Sequence, residues 1–212
     1  MFVTIEGPEG SGKSSVTKEV VARLEKEGYE VVLTREPGGT PIAEQIRKVI
    51  LDKENTKMDP MTEALLYAAS RRQHLVEKVW PLSKEGKIII SDRFLDSSLA
   101  YQGGARGLGI DKILALNQYA TDGYYPELTL LFDVDPRIGL ARIAANKGRE
   151  VNRLDLEKID FHDSVRQTFL SLAKRFPDRY VVLDACQPFE KVVEDAYHAV
   201  KEKLSACKWV NI

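Results

Sequence analysis

The sequence predicts an α/β fold in which helices cover a parallel β-sheet. Short apolar, β-branched runs alternate with longer segments of helical periodicity, which is typical of parallel strands joined by crossover helices. No repeat or low-complexity linker interrupts this alternation. Because 212 residues suit one domain at roughly 150 residues per domain, we expect residues 1–212 to form a single domain.

Five segments have the composition of buried strands. They are residues 2–6, 31–34, 87–91, 128–134 and 179–183. Helical spacing of apolar residues predicts helices over 13–27, where Val16, Val20, Val21 and Leu24 recur at this spacing, and over 190–204. These helices follow the first strand and the last, so both ends of the chain belong to the same sheet.

The charge balance argues against a nucleic-acid partner. Lys plus Arg number 31 and Asp plus Glu number 32, for a formal net charge of −1. A near-neutral chain has no overall field to hold duplex DNA, so any anion that it binds must meet locally grouped arginines.

The sequence also predicts a cytoplasmic protein with no membrane segment. No apolar run approaches the roughly 18 residues of a membrane span, and residues 1–9 hold two glutamates and no basic residue, unlike a secretory signal. Cys186 and Cys207 form no CxxC pair and have no nearby histidines, so neither a disulfide framework nor a zinc site is expected.

The most specific motif, GxxxxGK followed by Ser, comes directly after the first strand. Its residues are Gly7, Pro8, Glu9, Gly10, Ser11, Gly12, Lys13 and Ser14. Glycines let backbone N–H groups turn toward phosphate oxygens, and the following helix adds its N-terminal dipole. Lys13 is expected to reach the outer phosphates, and the Ser14 hydroxyl is expected to ligate Mg²⁺. The motif therefore predicts a nucleoside triphosphate site.

Three uses of the triphosphate remain open: a switch GTPase, an ATPase coupled to mechanical or nucleic-acid work, and a kinase for a small acceptor. GTPases that recognise guanine usually carry an NKxD pattern, but Asn146-Lys147 continues as Gly148-Arg149 and lacks the aspartate at the fourth place. No DxxG pattern follows the third strand either. Both observations argue against a GTPase. The chain length leaves little room for a partner-binding domain, which weakens the motor alternative.

The third predicted strand ends in a neighbouring acid and base, Asp92 and Arg93. The carboxyl edge of a parallel sheet is where ligands bind in open α/β folds. Asp92 is a candidate for holding Mg²⁺ through water, and Arg93 for bridging donor and acceptor phosphates. The alternative is a solvated salt bridge between the two side chains.

A second candidate surface would suit a planar base. The second strand runs into residues 34–41, TREPGGTP, which we expect to form a rigid turn with free backbone N–H groups, and then into a helix that bears Arg47. Tyr67 and Arg71 are four residues apart in the predicted helix 62–79, so they share one face. An aromatic ring and an arginine there would stack on a base and hydrogen-bond to its carbonyl edge. A core tyrosine and a surface arginine are the alternative.

The motifs together resemble bacterial thymidylate kinases. GPEGSGKS, TREPGG, EALLYAASRRQH, SDRFLDSSLAYQGGARG and NRLD occur in the family's order and spacing over residues 1–204. The phosphate loop is shared by many enzymes, but the DRF…SSLAYQG stretch is specific to this family. The resemblance implies a P-loop nucleoside monophosphate kinase fold of three layers, with a five-stranded parallel sheet flanked by helices. It further implies transfer of phosphate from ATP to dTMP, giving dTDP for dTTP synthesis.

The resemblance also assigns roles at the acceptor phosphate and the base. Arg47 and Arg93 should grip the dTMP phosphate. Tyr67, a phenylalanine in many relatives, should stack on thymine, while Arg71 and Gln102 should read the polar edge of the base.

Four further residues take roles from the same resemblance. Ser97 should lie near the base, and Tyr101 should crowd the sugar 2′ position and favour deoxyribose. Glu9 should accept from the 3′-hydroxyl, and Glu36 should arrange the magnesium waters or the acceptor site. Family members are typically homodimers. Apolar residues such as Leu65, Leu66 and those of 114–116 would serve that purpose or belong to the core.

A polar, basic segment, residues 146–155, is expected to be an exposed, mobile lid between two helices. The variable loop positions 8–11 contain no arginine, yet phosphoryl transfer needs positive charge beyond Lys13 and Mg²⁺. Relatives with an acidic residue in the phosphate loop use lid arginines in compensation. We therefore expect Arg149 or Arg153 to reach the phosphates when both substrates are bound, with the choice between them open.

Overall fold

The chain folds around a five-stranded parallel sheet with strand order β2-β3-β1-β4-β5. The structure, a computed structural model, describes residues 1–145, Leu154 and residues 157–208. The strands are β1 Phe2–Glu6, β2 Val31–Arg35, β3 Ile88–Asp92, β4 Leu128–Asp133 and β5 Tyr180–Asp184. All five strands predicted from composition are confirmed, with ends that differ by at most one residue.

Helices cover both faces of the sheet, so the predicted three-layer fold is confirmed. They are α1 Lys13–Lys26, α2 Pro41–Leu51, α3 Pro60–His74, α4 Trp80–Lys84, α5 Leu95–Ser98, α6 Ile110–Thr121, α7 Pro136–Ala145, α8 Ile159–Arg175 and α9 Phe189–Lys208. The two helices predicted from apolar spacing appear as α1 and α9. Within the part of the chain that the structure describes, no helix has the length and apolarity to cross a membrane.

The core is divided between the two faces of the sheet because successive strand residues point in opposite directions. Val3 and Ile90 pack with α1 and α9 on one face. Phe2 and Ile89 pack on the other face with side chains of α3, α6 and α8. In this way Val16, Val20 and Leu24 of α1 are buried on the face that their spacing predicts.

Helix α3 begins with a capping aspartate and a proline. The Asp59 carboxylate accepts from the Thr62 backbone N–H at 2.9 Å, and Pro60 occupies the first helical position. The helix then widens into a π-helical segment, Leu75–Val79, before α4. The helix predicted over 62–79 is therefore confirmed, with a change of helix type inside it.

A second π-helical segment, Leu99–Ala105, continues α5 and carries Tyr101 and Gln102. It packs closely on α8, because a Cβ added at Gly104 would lie 2.2 Å from the Thr168 Oγ1. Residues of this type of helix are displaced from the regular 3.6-residue repeat, and such segments occur often at functional sites. The π segment turns both side chains toward the carboxyl edge of the sheet.

Candidate functional site

The predicted site residues meet in a cleft of about 520 Å³ at the carboxyl edge of the sheet. This volume falls within the range of small-molecule sites. The predicted residues that line it are Glu9, Gly10, Ser11, Gly12, Lys13, Ser14, Glu36, Arg47, Tyr67, Arg71, Asp92, Arg93, Ser97, Tyr101 and Gln102. Gly7 and Pro8 belong to the same loop but do not line the cleft.

The phosphate loop owes its shape to glycines that meet another helix. Gly10 has a φ of 70°, and a Cβ added there would lie 2.0 Å from the Gly139 carbonyl oxygen in α7. A Cβ at Gly139 would in turn lie 2.2 Å from the Glu9 carbonyl oxygen. Only a pair of glycines allows α7 to approach the loop so closely, so α7 forms one wall of the phosphate site.

Lys13 is folded into the phosphate loop. Its ammonium donates to the Gly7 carbonyl at 3.0 Å, the Pro8 carbonyl at 2.7 Å and the Ser11 hydroxyl at 3.0 Å. Burial, together with the positive charge of Arg93, lowers the pKa of Lys13 to about 8. The ammonium is therefore poised to exchange these neutral acceptors for phosphate oxygens.

This lowered pKa predicts a pH-dependent affinity for nucleotide. Phosphate oxygens favour the charged amine, so binding should raise the pKa of Lys13 above about 8 and take up a proton at higher pH. Calorimetry of ATP binding in buffers of different ionisation enthalpy should show uptake near one proton at pH 9 and little at pH 7. Affinity should fall by up to about tenfold per pH unit above 8.

Lys13→Arg serves as the control for this titration, because a guanidinium stays charged throughout the range. The variant should show no proton uptake at pH 9. Equal uptake by parent and variant at pH 9 would mean that Lys13 is not the titrating group.

Ser14 and Asp92 have the chemistry of a magnesium site. The Ser14 hydroxyl donates to the Asp92 Oδ2 at 3.4 Å. The Asp92 Oδ1 is buried and has no hydrogen-bond partner among the described residues. A hydroxyl and a carboxylate are hard oxygen ligands, and Mg²⁺ is commonly held by one or two protein groups together with phosphates and waters. These residues therefore fit Mg²⁺.

Arg93 and Asp92 point to different partners and form no mutual ion pair in the described part of the chain. Arg93, at a φ of 70°, donates from Nη2 to the Glu9 Oε1 at 3.1 Å and from Nη1 to the Ser97 hydroxyl at 3.0 Å. Its guanidinium also lies 5.1 Å from the centre of the Tyr101 ring. The alternative of a simple Asp-Arg salt bridge is therefore wrong, and both side chains face the cleft.

Glu9 is a buried carboxylate at the middle of the cleft. Its Oε1 accepts from Arg93 at 3.1 Å and from the Tyr101 hydroxyl, and its Oε2 lies 3.5 Å from the His162 Nδ1. Burial raises the pKa of Glu9, but the His162 contact and the charges of Arg93 and Lys13 outweigh it and hold that pKa well below its usual range. Glu9 is thus an ionised acceptor.

A second buried carboxyl group, that of Glu6, supports Arg93 through the Ser97 hydroxyl. It accepts from the Phe94 backbone N–H at 2.7 Å and from the Ser97 hydroxyl at 2.6 Å. Burial and the nearby Asp96 raise the pKa of Glu6 to about 8. Because the Ser97 hydroxyl lies between Glu6 and Arg93, it fixes the guanidinium in place.

Glu36 holds one wall of the cleft through two buried partners. Its Oε2 accepts from the Arg71 Nε at 2.8 Å, and its Oε1 lies 2.9 Å from the His74 Nδ1. The other nitrogen of His74 is 2.8 Å from the Thr34 hydroxyl. Both carboxylate oxygens of Glu36 are engaged in this network, which favours a role on the acceptor side.

Arg71 is a buried residue that lines the cleft, so the alternative of a surface arginine is wrong. Its side chain is 2% exposed, and its Nη1 donates to the Ser98 hydroxyl at 3.2 Å and to the Asn117 Oδ1. Tyr67 lies one turn earlier on the same cleft-facing side of α3. The predicted shared face is confirmed.

The prediction of free backbone N–H groups in the turn over 34–41 is wrong. The Gly38 N–H donates to the Ser70 hydroxyl at 3.2 Å, and the Gly39 N–H donates to the Glu44 Oε1 at 2.8 Å. Side chains from α2 and α3 satisfy these donors because both helices pack against the turn. Arg47 also contacts the turn, donating to the Pro37 carbonyl at 2.9 Å, and its side chain lines the cleft.

Sequence reasoning missed several polar residues behind the cleft. Glu63 and His74 lie on the same buried face of α3 as Arg71. Polar residues that recur at helical spacing on a core face indicate a buried polar network, so this pattern could have identified them. Asn117 and His162 come from other helices and have no local pattern that marks them.

The predicted lid arginines, Arg149 and Arg153, lie outside the described residues. The described residues on either side of them reach the cleft. Arg142 of α7, which precedes the two arginines in the chain, lines the cleft and donates from its Nη1 to the Gly10 carbonyl oxygen at 3.4 Å. Leu154, which follows them in the chain, also lines the cleft.

Comparisons with known proteins agree in one family. The family model described as thymidylate kinase matches residues 5–196. A thymidylate kinase of Geobacillus sp. (strain WCH70) is 54% identical and covers 96% of this chain and 97% of its own. One of Clostridium novyi (strain NT) is 56% identical, with 92% and 95% covered. The crystal structure of thymidylate kinase from Ehrlichia chaffeensis has a TM-score of 0.75 at 32% identity and covers 95% of this chain and 98% of its own.

Proposed function

Because the chain belongs to the thymidylate kinase family, we infer that it transfers the γ-phosphoryl group of ATP to dTMP and gives dTDP and ADP. The observation that carries this function to the site is a cleft lined by two chemically different groups of residues. Lys13 and Ser14 belong to the phosphate-loop motif, Tyr67 and Arg71 belong to α3, and Arg93 lines the same cleft. We take the phosphate loop as the phosphate end of the cleft and α3 as its acceptor end.

At the phosphate end we propose that the loop N–H groups and Lys13 hold the ATP phosphates. Ser14 and Asp92 would hold Mg²⁺, which when bound draws negative charge from phosphate oxygens as a Lewis acid. Arg93 would contact donor and acceptor phosphates, and its fork is kept in place by Glu9 and Ser97. Catalysis of phosphoryl transfer rests on positioning of the reactants together with fixed charges that stabilise the developing charge.

At the acceptor end we propose that Arg47 binds the dTMP phosphate and that Tyr67 stacks on thymine. Arg71 would donate to a ring carbonyl of thymine. Its buried ion pair with Glu36 supports this role, because the ion pair holds the guanidinium in place. Gln102 would accept from the thymine N3–H.

The sugar would lie between these two ends. Tyr101 and Glu9 form a hydrogen-bonded pair in the cleft. We propose that the Tyr101 ring crowds the 2′ position and that the ionised Glu9 accepts from the 3′-hydroxyl.

We propose that Arg149 or Arg153 supplies the second cation at the transferring phosphoryl group. Arg142, which precedes the two arginines in the chain, and Leu154, which follows them, both line the cleft, which supports the proposal. Replacing the arginine that contacts the phosphoryl group, Arg149 or Arg153, by alanine should lower kcat by at least about tenfold. This corresponds to a loss of ~1.4 kcal/mol in transition-state stabilisation, and the KM for dTMP should change less. Steady-state kinetics of each single variant measures this, and unchanged kcat in both would contradict the proposal.

A coupled assay for ADP release with a panel of monophosphates tests the proposed function. Turnover should depend on dTMP, with dCMP and purine monophosphates at least 10-fold poorer in kcat/KM, since mispairing a buried polar group costs roughly 1–3 kcal/mol. Comparable kcat/KM for another monophosphate would indicate a different acceptor. Turnover stimulated by nucleic acid and not by dTMP would indicate an ATPase of another class.

We also propose a homodimer in the cytoplasm. Leu65 on α3 and Tyr119 on α6 are exposed apolar side chains, which supports an interface there. Leu66 is only partly exposed, and Leu114 and Leu116 pack partly buried against the core. Of the residues named from sequence, Leu65 is therefore the best candidate for a subunit contact.

A further inference from the structure

We propose that Glu63, a residue buried behind the cleft, sets the base preference of the enzyme by fixing the orientation of the Gln102 side-chain amide. Glu63 does not line the cleft. It is therefore a positioning residue that acts through Gln102. The inference rests on the proposed function, in which Gln102 faces the base.

The contact between the two side chains is buried and direct. Gln102 is 1% exposed and Glu63 is 1% exposed, and the Gln102 Nε2 donates to the Glu63 Oε1 at 2.8 Å. A carboxylate has no proton to donate, so it can accept only from the NH₂ end of an amide. The orientation of Gln102 therefore follows from the chemistry of its partner. Its NH₂ group faces Glu63, and its carbonyl oxygen remains available to the cleft.

Arg106 keeps Glu63 in this role. Its Nε lies 3.4 Å from the same Glu63 Oε1, and its Nη2 lies 2.7 Å from Glu157. A guanidinium beside a buried carboxylate compensates the cost of burying its charge. The acceptor that orients Gln102 thus belongs to an ion pair between a buried carboxylate and a partly buried guanidinium.

This orientation distinguishes thymine from cytosine. Thymine presents a donor at N3 and a carbonyl acceptor at position 4, whereas cytosine presents an acceptor at N3 and an amino donor at position 4. A Gln102 carbonyl oxygen beside an Arg71 N–H matches thymine at both atoms and mismatches cytosine at both. If the amide turned over, the mismatch at N3 would disappear.

Kinetics with dTMP and 5-methyl-dCMP test the inference, because the two substrates share the 5-methyl group and differ in the donor and acceptor pattern. Glu63→Gln places an amide that both donates and accepts beside Gln102, which frees Gln102 to turn. We expect the kcat/KM ratio of dTMP to 5-methyl-dCMP to fall by at least about tenfold. The KM for ATP should stay within twofold of the parent.

Glu157→Gln is the matched control. It makes the same chemical change at the other ion pair of Arg106 and leaves the Glu63–Gln102 contact intact. Its substrate ratio should match that of the parent. Gln102→Leu should lower the ratio. Adding Glu63→Gln to Gln102→Leu should lower it no further, since the effect of Glu63 on the base passes through Gln102.

Glu63→Asp carries the test if Glu63→Gln does not fold. The aspartate keeps a charge beside Arg106 but is one methylene shorter, so it loses the 2.8 Å contact with Gln102. It should lower the substrate ratio about threefold or more.

Two results would overturn the inference. One is a Glu63 variant that folds and keeps the parental kcat/KM ratio of dTMP to 5-methyl-dCMP, although Gln102→Leu loses that preference. The other is an equal loss of kcat/KM on both substrates, which a purely structural role would give. Failure of the proposed function would appear separately, as a parent protein with no preference for dTMP.

Discussion

Lys13→Ala should lower kcat by about 10²- to 10³-fold or more. Its ammonium is the cation that the phosphate loop itself supplies, and fixed charges of this kind are worth a few kcal/mol of transition-state stabilisation. The three acceptors that now hold the ammonium are neutral groups of the same loop, so the charge is not consumed by an ion pair with them. Steady-state and single-turnover rates of dTDP formation measure the loss.

The fold should survive this change. Burial lowers the pKa of Lys13 from 10.5 to about 8, so its charged form is less favourable in the folded protein than in the unfolded chain. This cost of burying the charge offsets the three hydrogen bonds of the ammonium, so the Tm of the variant should stay close to that of the parent. Lys18→Ala, on the exposed face of the same helix, is the control and should keep full activity. Full activity of a folded Lys13→Ala protein would disprove the role.

Asp92→Asn should lose activity by a similar factor, because an amide has no charge to balance magnesium. The buried Asp92 Oδ1 has no described hydrogen-bond partner, and the Ser14 hydroxyl lies 3.4 Å from the Oδ2. We expect both a lower kcat and a higher Mg²⁺ concentration for half-maximal activity. A titration of activity with Mg²⁺ measures the two effects together.

Asp184→Asn is the matched control for this change. Asp184 ends β5 at the same edge of the sheet and does not line the cleft. Its variant should keep the parental Mg²⁺ dependence. If Asp92→Asn also keeps the parental turnover and Mg²⁺ dependence, Asp92 has only a structural role.

Local patterns in the sequence were sufficient for the sheet and for the phosphate loop. Buried parallel strands need continuous apolar, β-branched runs, so their composition marks them directly. The loop needs glycines at fixed places beside Lys13, so its spacing is equally direct. The four-residue interval between Tyr67 and Arg71 placed both on one face of a helix, and both line the cleft.

Long-range pairing could not be predicted in the same way. Glu63 meets Gln102, and His162 meets Glu9, across stretches of chain with no common pattern. The π-helical segment Leu99–Ala105 departs from the helical repeat, so periodicity gives no sign of it. The turn over 34–41 was misjudged because the partners of its N–H groups come from neighbouring helices.

The electrostatic state of the site also depends on packing that no motif encodes. Glu9 was expected as an acceptor for a sugar hydroxyl, but its low pKa arises from His162, Arg93 and Lys13 around it. The lowered pKa of Lys13 has the same origin, since burial in the folded loop is its largest cause.

Transfer of label from γ-³²P-ATP tests the central claim most directly. With dTMP present, label should appear in dTDP at one equivalent per ADP formed, and little should appear as inorganic phosphate. Without dTMP, ADP formation should be slow, because the cleft then lacks its acceptor. Label released as inorganic phosphate at a rate that does not depend on dTMP would contradict the assignment of this cleft to phosphoryl transfer onto dTMP.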